Sequence, residues 1–273
     1  MPYAKTDDRV KIYYEGHGAG FPLVLAYGIG GNTQMWDTNI DALSFRYRLI
    51  LWDPRGHAKS DCPEDPAKYS FTRWALDLRD LLDHLKIRRA HVGGLSMGGG
   101  IATRFTLLYP KRVAALIVTN SSSAAGLPLS HDNLLMRAQS IKITLEQGMD
   151  AMAEFAMQAN PNVAGRLALN PDAKAEFYAE YRALTPIGYA NSLRALIAMD
   201  HITDRLSTIR VPTLLIGGDQ DPSLDPMKVM HKKVRGSKLV VLSPAGHFGN
   251  RDQPEAWNKT VLDFLARVDR KRR

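Results

Sequence analysis

An α/β architecture, with a mostly parallel sheet covered by helices on both faces, is predicted by three features of this sequence. Short apolar runs alternate with helix-like segments up to about residue 120 and again after about residue 210. Several of these runs are apolar at consecutive positions, as strands buried on both faces must be. The stretch Gly94-Leu95-Ser96-Met97-Gly98 stands between one such run and a helical segment, marking a tight passage from strand to helix.

The elements follow in order. Val10–Tyr14 alternates as an early, half-exposed strand does. Leu23–Tyr27 is a continuous apolar run ending at Gly28, and Arg48–Trp52 repeats the pattern before Asp53-Pro54. Trp74, Leu78, Leu81, Leu82 and Leu85 share one face of a helix. Arg89–Gly93 forms the strand before Ser96, the segment from Gly99 to Leu108 a helix, and Val113–Val118 a further strand. Pro212–Ile216 and Lys238–Leu242 are the last two strands, and a final helix buries Trp257, Val261, Phe264, Leu265 and Val268.

Between Ser121 and Arg210 the rhythm changes. No strand-like run is present, only helical patterns broken by Pro128, Pro161, Pro171 and Pro186, enough for about four helices. The expected organisation is one part of a core over residues 1–120, a helical cap over 121–210 and the rest of the core over 211–273. Five of the ten methionines, Met136, Met149, Met152, Met157 and Met199, fall in the insertion, where they suit an adaptable apolar pocket wall as well as ordinary core filling.

Composition sets the outer limits. The 273 residues suit one large domain or one domain carrying an insertion. A hydrophobic fraction of 45% and a charged fraction of 23% are those of an ordinary soluble globular protein. The net charge of +8 is spread along the chain, apart from Arg267 and the run Arg270–Arg273, which read as a solvated tail. No nucleic-acid motif accompanies it, so no nucleic-acid partner is expected. Cys62 is the sole cysteine, which rules out an internal disulfide and fits a reducing compartment. Met1–Lys5 lacks the apolar region of a secretion signal, and no window approaches a membrane span. A cytoplasmic protein with no membrane partner is the expectation.

Ser96 carries the chemistry. A turn as sharp as this one strains the central residue and admits only glycine at the crowded flanks. It would leave the Ser96 hydroxyl exposed above the sheet, over the positive end of the next helix. A serine hydroxyl is a poor nucleophile at neutral pH and needs a base within hydrogen-bond reach. Of eight histidines, His247 is the candidate, because Ser243-Pro244-Ala245-Gly246-His247-Phe248 lies just beyond the last strand, at the sheet's carboxyl edge. Gly217-Gly218-Asp219-Gln220-Asp221 follows the preceding strand and offers the orienting carboxylate. Asp221 is preferred because the chain has cleared the strand end there, Asp219 reads as a turn former, and Asp225 is a weaker rival.

A developing oxyanion needs fixed donors. The backbone N–H of Met97 is one candidate and that of Ile29, in the loop Gly28-Ile29-Gly30-Gly31-Asn32, the other. That loop lacks the Gly-Lys-Ser/Thr of a phosphate-binding loop. Asp53, Arg55 and His57 read as a hydrogen-bonded corner, and His91 as structural. The histidines show no metal-ligand spacing, so neither a metal nor another cofactor is expected.

Four stretches together resemble the α/β-hydrolase superfamily over nearly the whole chain: Asp53–Ser60, Gly93–Gly99, Gly218–Asp221 and Ala245–His247. The resemblance implies the α/β-hydrolase fold, a nucleophile elbow at Ser96, and a triad in the chain order Ser96, Asp221, His247. It implies a serine hydrolase that cleaves a small-molecule carboxylic ester or lactone through an acyl-enzyme on Ser96. Within the superfamily the chain is most similar to the 3-oxoadipate enol-lactonase group and related small carboxylesterases. Thr185–Ala190, Ala198–Asp200 and Ile209–Leu214 resemble that group's junction between cap and core.

Two positions depart from the pattern: Tyr27-Gly28 stands where His-Gly is usual, and Ala58 where a second glycine is usual. A serine rather than an aspartate at the elbow argues against dehalogenase and epoxide hydrolase chemistry. C–C bond hydrolysis of vinylogous diketones shares the triad, but those relatives usually carry a proline that Gly30-Gly31-Asn32 lacks. Cofactor-free haloperoxidase or perhydrolase activity is a further alternative. A ligand-binding receptor on the same scaffold would not require all three triad residues. An enol-lactone of this group carries a carboxylate and would want a cation in its pocket. Arg137, Lys142, Arg166, Arg182, Arg194, Arg205 and His201 all lie in the insertion, and the sequence does not choose among them.

Overall fold

The computed structural model describes residues 2–169 and 171–271. Its first half runs β1 (Tyr3–Lys5), β2 (Lys11–His17), β3 (Phe21–Ala26), α1 (Asp37–Ser44), β4 (Tyr47–Trp52), α2 (Phe71–His84), β5 (Ala90–Leu95), α3 (Met97–Leu108) and β6 (Val113–Thr119). A one-turn helix α4 (Ser122–Ala125) is followed by α5 (His131–Ala159), α6 (Pro161–Leu169), α7 (Lys174–Arg182) and α8 (Pro186–Ile197). The remainder is β7 (Thr213–Gly218), α9 (Leu224–Lys233), β8 (Lys238–Leu242), α10 (Gly249–Asp252) and α11 (Pro254–Arg270).

The strands form one sheet in the order β1-β2-β4-β3-β5-β6-β7-β8. β1 and β2 pair antiparallel, as do β2 and β4, and every pairing from β4 to β8 is parallel. Consecutive apolar residues serve this sheet because alternate side chains leave it on opposite faces. Val24, Ile50, Val92, Leu116, Val118 and Leu215 pack on one side with Trp74, Leu78 and Leu81 of α2 and Ile101 and Phe105 of α3. Leu23, Leu25, Leu49, Leu51, Ile117, Leu214 and Ile216 pack on the other with Trp257, Val261 and Leu265 of α11. Every residue of β5, β6 and β7 is buried, whereas β8 at the edge exposes Lys238 and Val241. Phe264, expected on the buried side of α11, is only partly covered.

Between β6 and β7 the described residues hold no strand. Ser130 caps α5 by accepting from Asn133 N–H, and Thr185 caps α8 by accepting from Gly188 N–H. Pro161 and Pro186 each open a helix, where a missing N–H is harmless. A glycine interrupts the segment as well. α5 kinks at Gly148, with φ 85° and ψ −175°, a conformation glycine adopts at low cost. Met149, Met152, Phe177, Tyr181, Tyr189 and Leu193 build a third apolar cluster here, and Ile29 from the loop after β3 packs against it.

The corner at Asp53–His57, directly after β4, is a hydrogen-bonded structure. Arg55 is fully buried and holds Asp77 through Nε and Nη2 (2.7 and 2.6 Å) and Asp8 through Nη1 and Nη2 (2.9 and 2.8 Å). Asp53 accepts from Thr33 N–H (2.9 Å) and Lys59 N–H (3.2 Å), but burial dominates and pushes its pKa up to about 7. Burial holds His57 down at about 4, and its Nε2 has no hydrogen-bond partner among the described residues.

These two groups act in opposite senses. Asp53 keeps its proton when folded, so its contribution is fully present below about pH 4 and is lost as pH rises through about 7. His57 stays neutral when folded, so its contribution is present above about pH 6.5 and is lost as pH falls towards about 4. The two trends offset each other in the wild type, which makes the variant difference the useful readout. Asp53→Asn gains on wild type by about 4 kcal/mol as pH rises from 4 to 7. Denaturant unfolding across that range measures it, and a pH-independent difference contradicts the assignment.

Candidate active site

Ser96 is the residue between β5 and α3, with φ 54° and ψ −118°. The turn is held through its main chain. Ser96 N–H donates to Thr119 O (2.9 Å), and Ser96 O accepts from the hydroxyls of Ser121 (2.5 Å) and Ser123 (3.2 Å). A Cβ at Gly98 would stand 2.2 Å from Ala26 O, and one at Gly94 would stand 2.5 Å from the same atom. Across the site, a Cβ at Gly28 would lie 2.9 Å from the Cβ of Ser96. Glycine is required at these positions because β3 passes directly against the turn.

Asp221 lies just past β7 and His247 in the loop after β8, and the two meet at 3.1 Å between Oδ2 and Nδ1. Asp221 is buried and also accepts from Ser223 N–H (2.9 Å), the Ser223 hydroxyl and Asn120 Nδ2 (2.5 Å). Burial alone would raise its pKa. The His247 imidazole and the Ser223 donors outweigh that and hold it well below the usual carboxylate range. Asp219, two residues earlier, is engaged elsewhere: it accepts from the Ser243 hydroxyl (2.6 Å) and Ala245 N–H (3.0 Å), tying the two loops together. Asp225 pairs with Lys228 at the surface (2.8 Å).

Asn120 is not among the candidates the sequence marks. It follows β6 with φ 46°, and its Nδ2 donates to both Asp221 and Gly246 O (3.0 Å). An asparagine at the carboxyl end of a central strand is the available signal, since asparagine tolerates the left-handed region better than most residues. His91 is buried, with Nε2 3.2 Å from Asp269 Oδ1, and stands at the start of β5, away from Ser96.

The loop after β3 folds over Tyr27. Gly31 N–H donates to Gly28 O (3.0 Å), Gly30 has φ 78°, and a Cβ at Gly31 would meet the Tyr27 ring at 2.4 Å. The ring packs edge-on to Trp36 and stacks on Phe248, and its hydroxyl donates to Asn250 Oδ1 (3.2 Å). Burial pushes that phenol up, so Tyr27 is a neutral floor beneath the loop. Met97 is the first residue of α3, where a backbone N–H has no partner within its helix.

One cavity of about 370 Å³ is lined by Gly28, Ile29, Ser96, Met97, Asp221 and His247 from the sheet side. The insertion contributes Met136, Arg137, Met152, Phe155, Tyr181, Tyr189 and Met199. Met149 and Met157 pack within the insertion's own cluster instead. Arg166 is paired with Glu176 (2.8 Å) and Glu180 (2.9 Å), and Arg251 of α10 reaches the same two carboxylates. This network joins α6 and α7 to the segment directly after His247.

A mostly parallel sheet with a strained serine turn and an imidazole–carboxylate pair at its carboxyl edge defines an α/β hydrolase. The family described as the alpha/beta hydrolase fold matches residues 22–254, and the chain belongs to it. It is 30% identical to 3-oxoadipate enol-lactonase 2 of Acinetobacter baylyi over 249 residues, covering 90% of this chain and 89% of that one. It is 30% identical over 277 residues to a protein of Azorhizobium caulinodans named as carbamate hydrolase RutD, covering 98% and 100%. The crystal structure of the enol-lactonase from Burkholderia xenovorans LB400 superposes with a TM-score of 0.85 at 28% identity, over 97% of this chain and all of that one. Among the described residues no helix is long and apolar enough to cross a membrane.

Proposed function

We propose that this protein is a serine hydrolase that cleaves a small carboxylic ester or lactone through an acyl-enzyme on Ser96. The observation that carries the reading is the meeting on one cavity of the strained Ser96 turn with a His247 imidazole bonded at 3.1 Å to buried Asp221. Ser96 Oγ attacks the carbonyl carbon while His247 Nε2 takes its proton. The N–H groups of Ile29 and Met97 hold the tetrahedral oxyanion. His247 then protonates the departing alkoxide, which in a lactone stays tethered to the acyl group. The same imidazole removes a proton from water, and the resulting attack on the acyl carbon releases the acid and restores Ser96. Residues 121–210 act as a cap that shapes the cavity and limits water.

Initial rates on short and long p-nitrophenyl esters, beside an enol-lactone, test this. Turnover of an ester or lactone is the expected result, and the ratio between the two classes separates esterase from lactonase. A folded protein inactive on all of them, yet cleaving a vinylogous diketone, would overturn ester chemistry in favour of C–C hydrolysis.

A further inference from the structure

Besides three tyrosines, the cavity carries four ionisable side chains among its described lining residues: Arg137, Glu180, Asp221 and His247. Three of them are already paired. Asp221 and His247 hold each other, and Glu180 is taken by Arg166 and Arg251. Arg137 has no ion pair and no hydrogen bond among the described residues, and its Nε is shut off from solvent without a partner. The side chain is half-buried against an apolar wall that includes Met136, Phe155 and Tyr189. Its polar surroundings offer little compensation, since the Tyr189 hydroxyl is occupied with that of Tyr181 (3.4 Å). Burial bears on Arg137 strongly enough to bring its pKa down to about 10, so it remains a cation at neutral pH.

A guanidinium with its Nε shut off from water and unpartnered gains from an anion that meets its remaining donors. Among the described residues no carboxylate is paired with it. We infer that Arg137 is the binding residue for a carboxylate carried by the substrate at a position remote from the scissile carbonyl. This deepens the ester or lactone reading above and rests on it. A planar guanidinium presents two parallel N–H donors to the two oxygens of a carboxylate, and a single cation matches a single negative charge. The placement fits one substrate reaching both ends. Arg137, Tyr189, Gly30 and Ser96 all line this one cavity, and the Tyr189 ring stands 3.5 Å from where a Gly30 Cβ would be. None of the other six candidate cations is among the described lining residues of the cavity: Arg166 is neutralised by two glutamates, Arg182 is exposed with Asp150, and Lys142, Arg194, His201 and Arg205 also lie outside the lining.

The test uses matched esters. Mono-p-nitrophenyl succinate, glutarate and adipate are compared with p-nitrophenyl esters in which an isopropyl group replaces the distal carboxylate. The wild type is expected to favour at least one acid ester in kcat/KM. Arg137→Met is expected to lower that anionic-to-neutral ratio by about 30-fold, and Arg137→Lys to retain part of it, keeping the charge but losing the fork. No preference in the wild type, or an unchanged ratio in Arg137→Met, overturns the inference. Calorimetry on Ser96→Ala supplies a readout free of turnover. Methyl hydrogen glutarate should bind more tightly than dimethyl glutarate, and adding Arg137→Met should erase the difference; equal binding of the two to Ser96→Ala overturns it as well. Full hydrolysis by Ser96→Ala would instead sink the serine mechanism, while the binding arm still decides Arg137.

Discussion

Ser96→Ala is expected to lower kcat/KM on a p-nitrophenyl ester by about 10⁴-fold or more, because it removes the atom that forms the acyl bond in the proposed mechanism. The loss should fall on kcat, with little change in substrate affinity. The substitution also isolates chemistry from folding. The turn is held by main-chain groups of residue 96, to Thr119, Ser121 and Ser123, and alanine keeps all three bonds. The melting temperature should therefore stay within about 3 °C of wild type. A variant that keeps a tenth of the activity, with the same pH profile, would show that the serine is not the nucleophile.

Asp221→Asn is the second large effect, a fall in kcat of about 10⁴-fold. The carboxylate faces donors only: Asn120 Nδ2, the Ser223 hydroxyl and amide, and His247 Nδ1. An amide nitrogen in that position would oppose at least one of these donors and leave His247 free to take the wrong tautomer. Because the acid's pKa is depressed, its ionised form persists through neutral pH and well into acid. Any stability it lends is present above its unfolded pKa and is lost only as pH falls through the folded value. Unlike Ser96→Ala, this variant should also lose about 2 kcal/mol of stability, since buried donors are left unmatched. Asp219→Asn provides the contrast. Its carboxylate ties Ser243 and Ala245 and does not bond His247, so the rate should change by less than about tenfold. If the two aspartates exchange these behaviours, the orienting carboxylate has been misassigned.

The parts of this fold that could be read from the chain are those governed by local pattern. Leu23–Ala26 and Val113–Val118 are apolar at every position because both of their faces are covered, and that alone marks them as interior parallel strands. Ser96 was legible because close approach of β3 excludes any Cβ at Gly94 and Gly98, leaving a glycine signature in the sequence. Asp219 and Asp221 could be told apart by how far each stands from its strand end. α1 was harder, because only Asn39 and Leu43 of its eight residues are buried, too few for a visible periodicity. The kink at Gly148 had no local signal distinguishing it from a tolerated helical glycine. Asn120 and Arg137 depend on distant neighbours. Asn120 matters because β6 and β7 deliver it to Asp221, and Arg137 because six other candidate cations lie or pair elsewhere. No pattern within a short window carries that information.

The central claim is covalent, and the most direct measurement is the mass of the intact protein after reaction with a fluorophosphonate, followed by peptide mapping. A single adduct per chain is expected on the peptide containing Ser96, absent in Ser96→Ala and formed far more slowly in Asp221→Asn. An adduct that persists in Ser96→Ala, or a wild-type protein that hydrolyses esters yet never labels, would contradict it.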